Sequence, residues 1–197
     1  MSLHFISDLG DQAVILPVLV VVGLVLLLAG WWRAAAAWFF VVPGTLGVVL
    51  FAKLSTMACQ GLLPPIGLLS PSGHASASAV VYGGALALLL GGGRFRFGVA
   101  VASGLAAGTL VGYTRLALEV HTLADVLVGD LLGTMGVVVL IWLTGPRPRP
   151  RLRHGWISAS AAVLAVVVLF HGRHVYAEMH IKRASQEIWP LTLCSRL

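Results

Sequence analysis

Residues 122–144 read TLADVLVGDLLGTMGVVVLIWLT. This stretch is mostly apolar over a length that suits a helix crossing the hydrocarbon core of a bilayer, which takes about 20 residues. Across the chain 58% of the residues are apolar and 10% are charged, against about 25% charged in a soluble domain. So few charged side chains cannot cover a water-facing surface in the usual way, and we therefore predict a membrane protein.

Five other apolar runs have a comparable length, and Gly, Pro and basic residues separate them. With 122–144 they give six predicted transmembrane helices, the other five near 12–31, 34–56, 74–92, 97–114 and 156–171. The expected fold class is all-α, a polytopic membrane bundle of six transmembrane helices. Glycines recur inside the runs, as at Gly104, Gly108, Gly129, Gly133 and Gly136. Such small residues let helix backbones approach closely in lipid.

Basic residues collect on alternate connections of this layout. Arg33 follows the first predicted span, Arg94 and Arg96 follow the third, and four arginines within 147–153 follow the fifth. The excess of Lys and Arg in cytoplasmic loops places these three connections in the cytoplasm. The net charge of +6 is thus explained by topology, and we expect no nucleic-acid partner.

Several ionisable residues near the spans are not explained by topology. Six fall at the ends of spans on the non-cytoplasmic side: Lys53, His74, Arg115, Glu119, His121 and Asp125. Because these ends share one membrane face, we expect the six side chains to approach each other. Asp130 lies deeper in its span and is interpreted as a buried residue with a polar partner.

His121 and Asp125 stand four residues apart at the start of a predicted helix. That spacing places both side chains on one helical face, one turn apart. A carboxylate beside an imidazole fixes its tautomer and leaves the other ring nitrogen able to attack an electrophile. The alternative is an ordinary pair on a helix surface.

The segment SPSGH at 70–74 precedes the third predicted span. Ser72 is a suitable N-cap, and the free amides of a helix start favour an anion. Gly73 permits close backbone approach, and His74 can pass a proton to a leaving oxygen. The alternative is a simple capped helix that carries an interfacial histidine.

Lys53 and Arg115 end the second and fourth predicted spans. Two cations that converge on one pocket would bind a phosphate, Arg115 through its bidentate fork and Lys53 as a point charge. The alternative is that each side chain extends toward the lipid headgroups.

Taken in order, Pro71-Ser72-Gly73-His74 and Arg115-x5-His121-x3-Asp125 resemble the type 2 phosphatidic acid phosphatase (PAP2) superfamily. The family pattern is Lys-x6-Arg-Pro, Pro-Ser-Gly-His and Ser-Arg-x5-His-x3-Asp. The second element matches in full, and the third has Thr114 in place of serine. In the first element Lys53 is present, but Gln60-Gly61 replaces Arg-Pro, so one cation is missing.

The resemblance implies a role for each matching residue. His121 would be the nucleophile, Asp125 would orient it, and His74 would protonate the leaving group. The implied phosphate ligands are Lys53, Ser72, Gly73 and Arg115, with Gln60 and Thr114 as further candidates. The family needs no metal ion, and no cofactor is expected.

The implied function is an integral membrane phosphatase that cleaves a lipid phosphate or pyrophosphate through a phosphohistidine intermediate. Candidate substrates are undecaprenyl pyrophosphate, a phospholipid phosphate and a lipid A phosphate. The expected location is the bacterial inner (cytoplasmic) membrane, with a periplasmic active site. Residues 1–197 would form a single PAP2-like membrane domain, with motif core 53–125 and a periplasmic or interfacial tail at 172–197.

Two other functions stay open on the same residues. A lipid phosphotransferase would use the same intermediate and pass the phosphoryl group to a second lipid. A non-catalytic lipid-binding or transport bundle would keep the fold without the reaction, and the missing Arg-Pro pair is the feature that favours it.

Overall fold

A computed structural model of the chain describes residues 2–58, 68–145 and 155–173, together with residues 179, 181 and 183. Within these ranges the regular structure is entirely helical, which confirms the all-α prediction for this part of the chain. The α-helices in chain order are α1 (Ser2–Asp8), α2 (Gln12–Leu28), α3 (Trp32–Ala58), α4 (Gly73–Ser78), α5 (Gly84–Leu90), α6 (Arg96–Ala117), α7 (Leu123–Thr144) and α8 (Gly155–Phe170). A π-helical turn (Ala79–Gly83) joins α4 to α5, and a 3-10 turn (Gly93–Phe95) leads into α6.

Within the residues that the structure describes, four helical segments are long and apolar enough to cross a bilayer. They are Trp32–Met57, Gly73–Leu90, Gly93–Ala117 and Leu123–Thr144. The helix α2 is apolar but shorter, at 17 residues, which corresponds to about 26 Å of helix. The helix α8 has 16 residues, of which Ala161–Phe170 form an apolar stretch. These helices are those of a membrane protein, and the full count of six transmembrane helices stays a prediction.

Consecutive long helices alternate in direction, as a polytopic bundle requires. At one end α3 and α6 finish, and α4 and α7 begin; we call this the site end. Just beyond α8, Nε2 of His171 lies 3.8 Å from Oδ2 of Asp8, the last residue of α1, so α8 also finishes at the site end. At the opposite end Nε of Arg33 donates to the carbonyl of Leu143 (2.6 Å), which ties the start of α3 to the end of α7.

The hydrophobic core lies between α2, α3, the α4–α5 segment and α7. Trp38 of α3 is fully buried there, and its indole N–H donates to the carbonyl of Leu19 (2.9 Å). The large apolar ring of Trp38 is therefore buried inside the bundle, and its one polar atom has a hydrogen-bond partner there. This packing fixes α3, the helix that carries Lys53, against its neighbours.

Glycines bring α4, α6 and α7 into close contact, as the sequence predicts. A Cβ atom added to Gly133 would lie 2.5 Å from the carbonyl oxygen of Ser76 in α4. One added to Gly104 would lie 2.8 Å from Oγ1 of Thr134 in α7. The backbones of these helices therefore approach more closely than any side chain would allow.

Asp130 sits in this interface and is 5% exposed. Oγ1 of Thr109 donates to its Oδ2 (2.8 Å), and Oγ1 of Thr134 lies 3.5 Å from its Oδ1. The interpretation of Asp130 as a buried residue with polar partners is confirmed. Its hydroxyl partners satisfy the carboxyl group inside the bundle, where an unsatisfied one would be costly.

Candidate active site

The carboxylate of Asp125 organises the site end of the bundle. Its Oδ1 accepts hydrogen bonds from the backbone N–H groups of Leu69 (2.9 Å) and Ser70 (2.8 Å). The backbone carbonyl of Asp125 accepts from the N–H of Ser72 (2.9 Å). Three hydrogen bonds therefore join the loop before α4 to the start of α7. The side chain of Asp125 is 1% exposed, and charge-assisted bonds of this kind are about twice as strong as neutral ones.

His121 contacts the other oxygen of the same carboxylate. Its Nδ1 lies 3.4 Å from Oδ2 of Asp125, and its side chain is 5% exposed. The predicted contact across four residues is therefore present, but His121 lies two residues before α7 and not inside it. Thr122 is the N-cap of α7 and forms a capping box with Asp125, whose Oδ2 accepts from the Thr122 N–H (3.1 Å). The cap, not a helical turn, brings the histidine onto the carboxylate.

A tight turn at the end of α6 connects Arg115 to His121. The N–H of Val120 donates to the carbonyl of Arg115 (3.1 Å), and that of Glu119 donates to Leu116 (2.9 Å). This pair of bonds is a Schellman motif, with Glu119 at the left-handed position (φ 56°) where glycine is usual. A non-glycine residue held in this conformation stores strain, which is often found near functional sites.

The start of α4 lies next to a buried lysine. The Oγ of Ser72 accepts from the N–H of Ala75 (3.4 Å), which confirms Ser72 as an N-cap. Lys53 is 4% exposed, and a Cβ atom added to Gly73 would lie 3.5 Å from its Cε. A cation and a helix start therefore meet at the same place, and both favour a bound anion.

Gly129 of α7 packs directly against the backbone of Ser72, so Gly129→Ala is expected to separate α7 from the start of α4. The added Cβ would collide with the carbonyl oxygen of Ser72, and no flexible side-chain end is available to move aside. Overpacking of this kind costs about 1–3 kcal/mol. We expect a lower midpoint of thermal unfolding for the detergent-purified variant.

The matched control is Gly44→Ala in α3. A Cβ atom at Gly44 meets no heavy atom within 4 Å, and alanine stabilises a helix interior by up to about 1 kcal/mol over glycine. Equal unfolding midpoints for the two variants would show that α7 and the start of α4 are not in tight contact.

Arg115 and His74 both contact the N-terminal segment. Nη1 of Arg115 donates to Oγ of Ser7 (3.0 Å). A Cβ atom added to Gly10 would lie 2.9 Å from Cβ and 3.1 Å from Cδ2 of His74. Neither α1 nor these two contacts is predicted by the sequence analysis, because a short helix with His and Asp residues lacks the apolar run that identifies the other helices.

The remaining predicted site residues stand apart from these contacts. The hydroxyl of Thr114 donates to the carbonyl of Val111 in its own helix (2.6 Å), and Thr114 is 1% exposed. Gln60 lies outside the described residues, as do the arginines of 147–153 and most of the predicted tail at 172–197. In the part of the chain that the structure describes, no group of three or more His, Cys, Asp and Glu side chains is placed to hold a metal ion.

The described geometry thus gathers, at one end of the bundle, an imidazole held by a buried carboxylate and a helix start flanked by a lysine. Arg115 and His74 reach the same end from α6 and from the first turn of α4. An imidazole fixed through Nδ1 presents Nε2 as a nucleophile, and the cations and amides suit a bound anion. The arrangement is chemically suited to attack on a phosphorus atom.

Comparison with known proteins gives two matches. The family model of the PAP2 superfamily matches residues 53–149, a range that contains every site residue predicted from the sequence. A protein of Klebsiella pneumoniae described as an uncharacterized 22.5 kDa protein in cps region is 30% identical over 176 residues. That alignment covers 87% of this chain and 83% of the relative. No solved structure shows significant similarity.

Proposed function

We propose a lipid phosphatase activity for this chain, which belongs to the PAP2 superfamily. Members of that superfamily generally hydrolyse phosphate esters. The observation that carries the proposal is the contact of His121 Nδ1 with Oδ2 of Asp125, beside a helix start and a buried lysine. The proposed protein is an integral membrane enzyme that cleaves a lipid phosphate or pyrophosphate through a phosphohistidine intermediate.

In the first step Nε2 of His121 attacks the phosphorus atom. A P–N bond forms while the P–O bond to the lipid, or to the inner phosphate of a pyrophosphate, breaks. The carboxylate of Asp125 accepts a hydrogen bond from the Nδ1–H of His121 and stabilises the positive charge that develops on the ring. His74 donates a proton to the departing oxygen, which makes it a better leaving group.

In the second step water attacks the phosphohistidine. His74, now unprotonated, takes a proton from the water, and the P–N bond breaks to release inorganic phosphate and restore both imidazoles. Lys53 and Arg115 hold the phosphate oxygens in the bound lipid and in both transition states. The backbone amides after Ser72 add fixed dipoles that need no reorganisation during the reaction.

The position of the site supports a lipid substrate. Lys53, His74 and Arg115 sit at the ends of apolar helices, where a lipid headgroup would lie when its chains remain in the bilayer. Undecaprenyl pyrophosphate, a phospholipid phosphate and a lipid A phosphate all present a phosphate at this depth. We propose that such a lipid enters sideways from the membrane.

The proposed location is the bacterial inner membrane with the site facing the periplasm. Arg33, Arg94 and Arg96 lie at the end of the bundle opposite the site, at or just before the helix starts there. Positive charge at that end favours a cytoplasmic orientation for it, which leaves the site end outside.

The purified protein is expected to release inorganic phosphate from at least one of these three lipids in detergent, with EDTA present. Full activity in chelator is the expected result, since the proposed steps use protein groups and water and need no metal ion. The assay measures free phosphate by colorimetry and lipid products by mass spectrometry in the same reaction.

The two readouts separate the rival functions. Phosphate release without a new phosphorylated lipid supports the hydrolase. Loss of lipid phosphate with a new phosphorylated lipid, and no free phosphate, would identify a phosphotransferase. No consumption of any of the lipids, by protein that unfolds cooperatively on heating, would favour the non-catalytic bundle and overturn the proposal.

A further inference from the structure

The N-terminal segment 2–11 lies across the site end, and it falls outside the range that the PAP2 family model matches. Phe5 packs against His171 beyond α8, with ring centroids 4.0 Å apart and the ring planes tilted by 44°. The hydroxyl of Tyr82 donates to the carbonyl of Leu9 (2.8 Å). Asp11 caps α2, since its Oδ1 accepts from the N–H of Ala13 (2.8 Å). The segment therefore contacts the residue that follows α8, the π-helical turn and the start of α2.

The hydroxyl of Ser7 in this segment contacts Arg115, one of the proposed phosphate ligands. Ser7 is 3% exposed, and its Oγ accepts from Nη1 of Arg115 at 3.0 Å. A guanidinium carries five N–H donors in one rigid plane, so a bond to one of its terminal nitrogens sets the direction of the others. Bidentate binding of phosphate depends on that direction.

The backbone of the same segment reaches the proposed general acid. Gly10 is so close to His74 that any Cβ at this position would lie 2.9 Å from Cβ and 3.1 Å from Cδ2 of the histidine. It would also lie 3.0 Å from Cγ1 of Val111 in α6. The imidazole of His74 thus rests against a backbone surface that leaves it little room to move.

We propose that Ser7 is a positioning residue for Arg115 and that Gly10 gives the backbone surface that positions His74. The inference rests on the proposed function, because it assigns these contacts to the binding and protonation of a phosphate. It extends the active site to an N-terminal segment that carries none of the family motif. Ser7 and Gly10 act through Arg115 and His74 and do not themselves take part in bond making.

The test is a double-mutant cycle on the lipid phosphate that the wild-type protein hydrolyses. Ser7→Ala is expected to raise KM about fivefold with kcat lowered less than about twofold, since Arg115 holds the phosphate in ground and transition state alike. In an Arg115→Ala background, Ser7→Ala is expected to add no further change. Ser55→Ala is the matched control, because the Ser55 hydroxyl donates to the carbonyl of Phe51 (2.9 Å) within α3 at the same end of the bundle.

Gly10→Ala is expected to change kcat and not KM. Displacement of His74 slows leaving-group protonation, so kcat should fall about tenfold while KM changes little. Unfolding midpoints of all variants are measured alongside, so that a general loss of stability is recognised as such.

Orthovanadate, a phosphate analogue, gives a second readout that needs no turnover. Orthovanadate should raise the unfolding midpoint, and its concentration dependence gives an apparent affinity. Ser7→Ala should lower this affinity about fivefold, and Ser55→Ala should leave it unchanged. A wild-type protein that cleaves no lipid phosphate would count against the proposed function alone. Equal KM and equal orthovanadate affinity for Ser7→Ala and wild type, or full additivity with Arg115→Ala, would overturn the role of Ser7.

Discussion

His121→Ala is expected to lower lipid phosphatase activity by at least about 10³-fold, with the protein still folded. The substitution removes the nitrogen that would form the bond to phosphorus. Water would have to attack the lipid phosphate directly, while His74 is engaged as the acid for the leaving group. The substitution deletes the contact of His121 with Asp125, whose carboxylate keeps its three backbone donors at Leu69, Ser70 and Thr122. Stability should therefore change far less than activity.

Two measurements check this expectation. The first compares phosphate release by His121→Ala with release by His4→Ala, a control in which an exposed histidine of α1 is removed. The second uses a lipid labelled with ³²P at its terminal phosphate and looks for acid-labile, base-stable label on the denatured protein. Label on the wild type and on His4→Ala but not on His121→Ala identifies the phosphohistidine. Unchanged turnover of His121→Ala would remove His121 as the nucleophile.

The helices were predictable because lipid imposes a simple rule on the sequence. A span must be apolar over about 20 residues, so the run at 122–144 nearly coincides with Leu123–Thr144 in the structure. The close contacts of Gly104 and Gly133 follow from the same logic, since small residues are what helices need to pack in lipid. The gathering of Lys53, His74 and Asp125 at one end follows once alternate helices reverse direction.

The parts that could not be predicted depend on polar contacts between distant segments. Nothing in the spacing of Leu69 and Ser70 indicates that their N–H groups bond a carboxylate more than fifty positions later. Ser7 and Arg115 are likewise far apart in the chain, and α1 has no apolar run to mark it. Glu119 occupies a position where glycine is the usual signal, so the turn that returns the chain to His121 is hidden as well.

Asp125→Ala is expected to damage both activity and stability, because one carboxylate performs two tasks. Its Oδ2 contacts His121 and accepts a hydrogen bond from the Thr122 N–H. Its Oδ1 accepts hydrogen bonds from two N–H groups of the loop before α4. Removal leaves buried donors unsatisfied, at a cost of about 2–4 kcal/mol in total. It also releases the imidazole, for which we expect at least about a 10²-fold loss in kcat. Heat denaturation and phosphate release, measured on the same preparation, test the two effects.

Asp125→Asn separates the two tasks, since an amide keeps one accepting oxygen but loses the charge. If that oxygen stays with Leu69 and Ser70, the loop remains bonded and the NH2 group faces His121 and Thr122, both of which need an acceptor. The unfolding midpoint should then lie nearer to wild type than that of Asp125→Ala, while kcat stays low. The matched control is Asp130→Asn, a buried carboxyl on the same helix that bonds Thr109 and contacts no proposed catalytic residue in the described hydrogen bonds. It should lose stability without a comparable fall in kcat. An Asp125→Asn protein with wild-type kcat would mean that the carboxylate serves only to fasten the loop to α7, and that His121 does not depend on it for orientation.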